Sequence, residues 1–220
     1  MMYELIIFDW DGTLVDSKER IGLSMQRAAK DAGQPVPSLE AVYPYIGLGL
    51  PEVIEALFPD ADAVLHQSIK TFYSHHFFEL DQQPAVLFAH AEETLGLLRE
   101  RGYRLAVATG KSRRGLNRGF DKTGWRCFFE SSRCADETTS KPDPRMLNEI
   151  LGELGVAPER ALMVGDTSFD LQMAELAGMD AVGVSYGVHP LERLQSANPV
   201  KMIHSLRELS DWLITGKEFV

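Results

Sequence analysis

The fold of this chain is decided by the stretch Leu5-Ile6-Ile7-Phe8-Asp9-Trp10-Asp11-Gly12-Thr13. Its first four residues form an apolar run without polar alternation, which is typical of a strand buried on both faces of a parallel sheet. Asp9 and Asp11 follow directly, at the edge where open α/β sheets bind their ligands. Because residues two apart in an extended chain point to the same side, both carboxylates can face one site across Trp10. Two like charges this close are costly unless a cation or a shared proton relieves them, so the pair suggests metal-dependent nucleophilic or acid–base chemistry.

Two other structures are compatible with Asp and Gly residues in such a segment, a solvated turn and a calcium loop. Asp and Gly are common in solvated turns, so a plain turn stays open when the segment is taken alone. A calcium loop needs Gly at its sixth position, and counting from Asp9 that position is Leu14. The spacing therefore excludes a calcium loop of this type.

The composition sets the class of protein. The chain has 220 residues, 45% of them hydrophobic and 25% charged, which is typical of a globular protein with one large core, or with one core and a smaller appended domain. The net charge of −10 argues against a nucleic-acid partner, since such proteins carry a basic footprint. An anionic substrate must then be attracted by local cations.

The cysteines and the N-terminus bear on location. Cys127 and Cys134 lack metal-ligand spacing, and two thiols in a chain of this size fit a reducing cytoplasm. The first residues include no basic segment followed by a long apolar stretch, so we expect neither a signal peptide nor a membrane span. We expect a cytoplasmic protein that is a monomer or a homodimer.

The order of elements indicates an α/β fold with an insertion. From Ser17 to about Phe78 the pattern predicts four helices and no strand, so residues 16–84 are expected to form an all-helical cap domain. Residues 1–15 and 85–220 are expected to form the core. There, helices should alternate with strands at 103–108, near 128–129, at 161–164, at 181–184 and near 200–203. The fold class predicted is a Rossmann-like doubly wound parallel sheet with that cap inserted after the first strand.

The strand at 103–108 leads into Thr109-Gly110-Lys111-Ser112. A nucleotide-binding P-loop would need a Gly five positions before Gly110, and Leu105 stands there, so the P-loop is rejected. A hydroxyl, free backbone N–H groups and a helix N-terminus remain, and they suit a phosphate oxygen. Capping of the helix by Thr109 or Ser112 is the alternative.

Two further segments place charges at the same edge. Lys141 precedes two prolines in Ser140-Lys141-Pro142-Asp143-Pro144, although a lone Lys is usually a solvated surface residue. Asp166 follows the strand at 161–164, where a metal ligand could meet the first pair, and Asp170 lies one helical turn further on the same face. Helix capping and a favourable charge at a helix N-terminus are their simpler roles.

Taken in order, these segments resemble the four motifs of the haloacid dehalogenase-like hydrolase superfamily, and within it the phosphoglycolate phosphatase-like members with a helical cap. The resemblance covers nearly the whole chain. It implies that Asp9 is the nucleophile that forms an aspartyl-phosphate and that Asp11 is the general acid and base. It also implies that Thr109, Gly110 and Lys141 bind the phosphoryl group. By the same resemblance, the Asp9 carboxylate, the Asp11 carbonyl and Asp166 hold Mg²⁺, and Asp170 lies next to these ligands without binding the ion.

The function expected from this resemblance is hydrolysis of a small phosphorylated metabolite, either a phosphoglycolate-like compound or a sugar phosphate. A phosphosugar mutase of the β-phosphoglucomutase type is the second hypothesis, since it would share every core residue and differ only in the cap and in water access. A non-catalytic protein that binds a phosphorylated ligand is the third. Arg20, Lys111 and Arg113 could each reach a distal anion of the substrate. The loop 45–49 is either a plain turn between helices, or a hinge or a loop that faces the site.

Overall fold

The computed structural model describes residues 2–216. It contains one six-stranded sheet, all parallel, in the order β3-β2-β1-β4-β5-β6. The strands are β1 Leu5–Phe8, β2 Arg104–Thr109, β3 Ser131–Cys134, β4 Ala161–Gly165, β5 Asp180–Val184 and β6 Lys201–Ile203. The predicted Rossmann-like doubly wound sheet is thus confirmed.

Helices cover both faces of this sheet. Those of the α/β part are α5 Ala91–Glu100, α6 Arg113–Thr123, α7 Arg145–Leu154, α8 Ser168–Leu176, α9 Leu191–Gln195 and α10 Leu206–Thr215. Strand β1 shows how the faces divide: Ile6 and Phe8 pack into one hydrophobic cluster, and Leu5 and Ile7 pack into the other. All four side chains are fully buried, which explains why β1 reads as an unbroken apolar run.

One local prediction was wrong, and one short helix was not foreseen. The third strand begins at Ser131 rather than near 128–129, because Trp125–Phe128 form a 3-10 turn after Gly124 ends α6 in a left-handed conformation. The Trp125 ring packs edge-on against Trp10, so the apolar character of this segment reflects packing in the core and not a β-strand. Helix α9 was not predicted, since five residues give too short a pattern to show helical periodicity.

The segment between β1 and β2 begins with a group of four helices, α1 Lys18–Asp31, α2 Leu39–Val42, α3 Leu50–Leu57 and α4 Ala63–Leu80. These helices share a hydrophobic cluster of their own that includes Met25, Ile54 and Ile69. The chain enters and leaves this group side by side, because Asp16 donates its N–H to Val86 and Phe88 donates to Leu14. The division at residues 15/16 and 84/85 stays a prediction. We refer to α1–α4 and their loops as the helical insertion.

No helix within residues 2–216 combines the length and the apolar character needed to cross a lipid bilayer.

Candidate active site

The candidate site lies at the C-terminal edge of the sheet, where the strand order reverses. Phe8 of β1 is in register with Val107 of β2 on one side and Val164 of β4 on the other. The residues that follow, Asp9, Thr109 and Asp166, therefore leave three adjacent strands close together. Ligands of open α/β sheets bind at such a switch point.

Three buried carboxylates meet there. Ligand oxygens of Asp9, Asp166 and Asp170 all lie within 4.8 Å of one another, and each side chain is at most 1% exposed. Burial raises the pKa of Asp9 to about 7; Lys141 lowers it and the Asp170 charge raises it. Burial likewise raises the pKa of Asp166 well above its ordinary value, and repulsion from Asp9 adds to the shift. The cluster thus carries more negative charge than its surroundings balance.

One buried cation partly balances these acids. The ammonium group of Lys141 lies 2.7 Å from Oδ1 of Asp9 and 2.6 Å from Oδ1 of Asp170, and the Lys141 side chain has no exposed surface. Burial opposes its charge, yet the Asp170 and Asp9 carboxylates raise the pKa of Lys141 above its ordinary value. Lys141 is therefore a fixed positive charge beside the Asp9 carboxylate, and the surface position common for lysine is excluded.

Asp166 is held by hydrogen bonds to both carboxylate oxygens. Its Oδ1 accepts from the Thr13 hydroxyl at 3.0 Å, and its Oδ2 accepts from the backbone N–H of Val188 at 2.8 Å. The backbone also approaches the carboxylate closely, since a Cβ at Gly12 or at Gly187 would lie 2.2 Å from an Asp166 side-chain atom. Only glycine fits at these two positions, and Gly12 also has a φ of 86°.

Asp170 is fully occupied by its own neighbours. Its Oδ1 accepts from Lys141, and its Oδ2 accepts from the N–H and the hydroxyl of Thr167. Thr167 and Asp170 form a reciprocal capping box at the start of α8, so the cap is Thr167 rather than Asp166 or Ser168. Asp170 therefore acts on Asp9 by positioning Lys141.

Asp9 keeps a free oxygen in the middle of the cluster. Its Oδ2 is buried and has no hydrogen-bond partner among residues 2–216. A buried polar atom without a partner is costly, and this one belongs to a group of three carboxylates, of which only Asp9 and Asp170 pair with the Lys141 ammonium. Oxygen ligands with excess negative charge suit Mg²⁺, so the residues present fit this ion.

Asp11 is not a member of the three-carboxylate cluster and has other partners. Its Oδ1 accepts from the Ser17 hydroxyl at 2.5 Å, and its two oxygens lie 3.0 and 2.9 Å from Nζ of Lys111. Ser17 directly precedes α1, but its side chain makes no hydrogen bond that caps this helix. Its hydroxyl fixes the Asp11 carboxylate instead.

The Thr109–Gly110 turn meets the helical insertion. Thr109 is buried, its Oγ1 accepts from the N–H of Lys111 at 3.2 Å, and Ser112 rather than Thr109 caps α6. A Cβ at Gly110 would lie 2.5 Å from the carbonyl oxygens of Gly47 and Leu48. The loop 45–49 therefore faces the site and closes onto Gly110, which decides between its two interpretations.

A cavity of about 580 Å³ lies between the sheet edge and the helical insertion. Asp9, Asp11, Thr109 and Gly110 line its floor, and residues of α1, α3 and α4 line its wall. This volume is in the range of small-molecule binding sites.

The sequence analysis identified the residues that line the cavity floor. It did not identify part of the cavity wall or the loop that carries Val188. Of the three cations considered, Lys111 contacts Asp11, while Arg20 pairs with Asp81 and Arg113 with Glu137. The N–H of Val188, which holds Asp166, was not foreseen because a backbone donor in a loop leaves no side-chain signal. Lys111 carried a weak signal in its position two residues after Thr109.

Comparison with known proteins agrees with this geometry. Residues 6–184 match the family described as haloacid dehalogenase-like hydrolase. A relative from Dickeya dadantii named "Probable phosphatase IndB" is 34% identical over 213 residues, which cover 94% of this chain and 92% of the relative. A phosphoglycolate phosphatase from Pseudomonas putida is 29% identical over 93% of this chain and 78% of its own length. The crystal structure titled as a predicted phosphoglycolate phosphatase from Haemophilus somnus superposes with a TM-score of 0.84 at 26% identity, over 99% of each chain.

The chain belongs to the haloacid dehalogenase-like hydrolases. It is therefore an enzyme, and the relatives named above are phosphatases.

Proposed function

We propose that this chain is a Mg²⁺-dependent phosphatase that hydrolyses a phosphate monoester of a small metabolite through an aspartyl-phosphate on Asp9. The observation that carries the proposal is the buried Asp9 carboxylate, which faces the cavity with Oδ2 free and Oδ1 beside Lys141. In this arrangement Oδ2 is available to attack phosphorus, while the negative charge on Oδ1 is balanced by the Lys141 ammonium. The phosphatase names of the relatives support the reaction type.

In the first half-reaction an Asp9 oxygen attacks phosphorus, and the bond between phosphorus and the leaving-group oxygen breaks. Asp11, which also lines the cavity floor, donates a proton to that departing oxygen. The alcohol leaves, and the phosphoryl group stays on Asp9 as an acyl phosphate.

In the second half-reaction water attacks the phosphorus of the aspartyl-phosphate. Asp11, now ionised, accepts a proton from this water, and the bond between phosphorus and the Asp9 oxygen breaks. Inorganic phosphate is released, and both carboxyl groups return to their starting states.

The groups around Asp9 stabilise the negative charge of the phosphoryl group by electrostatic attraction and hydrogen bonds. Lys141 stabilises charge beside Asp9, while the Thr109 hydroxyl and the Gly110 N–H bind phosphoryl oxygens at the start of α6. Asp9 and Asp166, with the Asp11 carbonyl, would hold Mg²⁺, and Asp170 would keep Lys141 in place. When bound, Mg²⁺ neutralises carboxylate charge and polarises a phosphoryl oxygen.

The test follows the phosphoryl group itself. Purified protein is incubated with Mg²⁺ and p-nitrophenyl phosphate, quenched in acid and analysed by mass spectrometry for a phosphorylated Asp9 peptide. We expect phosphate release and a labelled peptide in the parent chain, and neither in Asp9→Asn. EDTA should abolish turnover and added Mg²⁺ should restore it.

A screen of phosphorylated metabolites, including phosphoglycolate and sugar phosphates, separates the alternatives. Released phosphate supports a phosphatase, and an isomerised sugar phosphate without release would identify a mutase. Tight binding without either product would identify a binding protein. Full p-nitrophenyl phosphate turnover by Asp9→Asn would refute the nucleophile.

A further inference from the structure

The cavity is far larger than the phosphoryl group and a two-carbon leaving group require. Its 580 Å³ extend from the Asp9 and Asp11 carboxylates into the space beneath the helical insertion. Cavities of this size usually enclose most of a ligand with a sizeable carbon skeleton. The chemistry of the wall then indicates which leaving group this site accepts.

The wall contributed by the helical insertion is apolar where it faces inward. Apolar side chains from three different helices contribute to it, and they include Ile21, Met25, Leu50, Val53, Phe77 and the exposed Phe78, with the Tyr73 ring beside Phe77. Among the described lining residues, the insertion contributes no Asp, Glu, Asn or Gln side chain. Its charged or strongly polar lining residues, Lys70, Ser74 and His75, are all solvent-exposed.

The apolar wall begins directly beside the proposed general acid. Nζ of Lys111 lies 2.9 Å from Oδ2 of Asp11 and 4.7 Å from the centroid of the Phe77 ring. The Tyr73 ring stacks on Phe77 with centroids 5.9 Å apart. Tyr73 and Asp11 both line the cavity, and burial together with the Asp11 charge raises the pKa of the Tyr73 hydroxyl. A leaving group whose oxygen receives a proton from Asp11 therefore meets two aromatic rings within its first few atoms.

We propose that the substrate is the phosphate monoester of an alcohol with an apolar body, of the size of an aromatic ring or a medium alkyl chain. This inference rests on the phosphatase function proposed above and names its substrate class. A sugar would need several side-chain hydrogen-bond partners along its length to replace its water contacts. The polar lining residues beyond the floor lie mainly on the sheet side, at Lys111, Ser112, Arg114, Arg118 and Asp136, while the insertion wall opposite them is mostly apolar. The carboxylate of phosphoglycolate would leave most of the apolar wall uncovered.

A homologous series of n-alkyl phosphates from ethyl to hexyl tests the proposal. These leaving groups differ in apolar length while their chemistry at the phosphate is the same. Burial of each methylene should raise kcat/KM about fourfold, and ethyl to hexyl should gain roughly 100-fold when burial is incomplete. Hexyl phosphate should also exceed phosphoglycolate.

Two matched substitutions connect the chain-length dependence to the wall. Ile21→Asn places a polar group on the cavity wall, and Val64→Asn makes the same type of change at an exposed position, 75% accessible, outside the cavity. The ratio of hexyl to ethyl kcat/KM within one variant is unaffected by the amount of folded protein. We expect this ratio to fall at least tenfold in Ile21→Asn and to stay at the parent value in Val64→Asn.

The outcomes separate the two proposals. Mg²⁺-dependent phosphate release with a flat alkyl series, with a clear preference for phosphoglycolate, or with an unchanged ratio in Ile21→Asn would overturn the apolar substrate class alone. No release from any ester, p-nitrophenyl phosphate included, would overturn the phosphatase function itself.

Discussion

Asp9→Asn should make the metal-free protein more stable while removing its activity. The change keeps the shape of the side chain but removes one of three clustered buried carboxylates, two of which pair with the single ammonium of Lys141. The parent chain keeps this surplus charge for function, and such sites commonly cost stability. The gain should depend on pH, because it reflects the ionisation of Asp9.

The magnitude follows from the pKa of Asp9. The gap between the ordinary value of 3.8 and the value of about 7 in the folded chain corresponds to roughly 4 kcal/mol of unfolding free energy. Because the folded pKa is raised, the parent chain loses this stability as pH rises from about 4 to about 7. Asn does not titrate, so Asp9→Asn should match the parent near pH 4 and exceed it by up to roughly 4 kcal/mol at pH 8.

Urea unfolding in EDTA at several pH values between 4 and 8 measures this difference, with circular dichroism as the probe. Repeating the series with saturating Mg²⁺ should reverse the order at pH 8. An ion that binds the folded parent through Asp9 stabilises it more than the variant.

The control is Asp60→Asn, which removes the same charge from an exposed loop outside the cluster. It should leave the stability nearly unchanged at every pH. If Asp9→Asn in EDTA were no more stable than the parent at pH 8, or if its gain did not vary with pH, the charge imbalance inferred for this site would be wrong.

Three further substitutions test other parts of the site. Lys141→Met should lower kcat/KM for p-nitrophenyl phosphate about a thousandfold, since one cation–anion contact gives roughly 4 kcal/mol at an effective dielectric near 20; a loss below tenfold would contradict its role. Gly110→Ala should displace the loop 45–49 and increase its cleavage by trypsin or chymotrypsin, because the added Cβ would lie 2.5 Å from backbone carbonyl oxygens. The control is Gly152→Ala in α7, where the added Cβ meets open space and should leave the stability unchanged or raise it. Asp81→Asn should lower the free energy of unfolding by about 2 kcal/mol, because Arg20, Arg118 and Lys122 all pair with this carboxylate; an unchanged urea midpoint would show that these cations find water instead.

Local sequence signals predicted the elements well where their physical cause was local. Two such signals, the apolar run of β1 and the cap of α6 by Ser112, act within a few residues. The third strand was misplaced because Trp125 and its neighbours are apolar for a tertiary reason, their packing against Trp10. Apolar character alone does not distinguish a strand from a turn that packs into the core.

The sequence was sufficient to predict that the acidic residues lie near one another, since carboxylates that follow parallel strands share one edge of the sheet. It was not sufficient to predict which side chains and backbone groups are in contact there. Several contacts join distant segments and exist only in the packed chain. Asp11 pairs with Ser17 and Lys111, Val188 donates its N–H to Asp166, and Gly47 packs against Gly110. The apolar wall of the cavity is of the same kind. Ile21, Val53 and Phe77 each have the spacing of ordinary core residues, and only the way their helices pack over the sheet edge leaves them facing Asp11 across an open space.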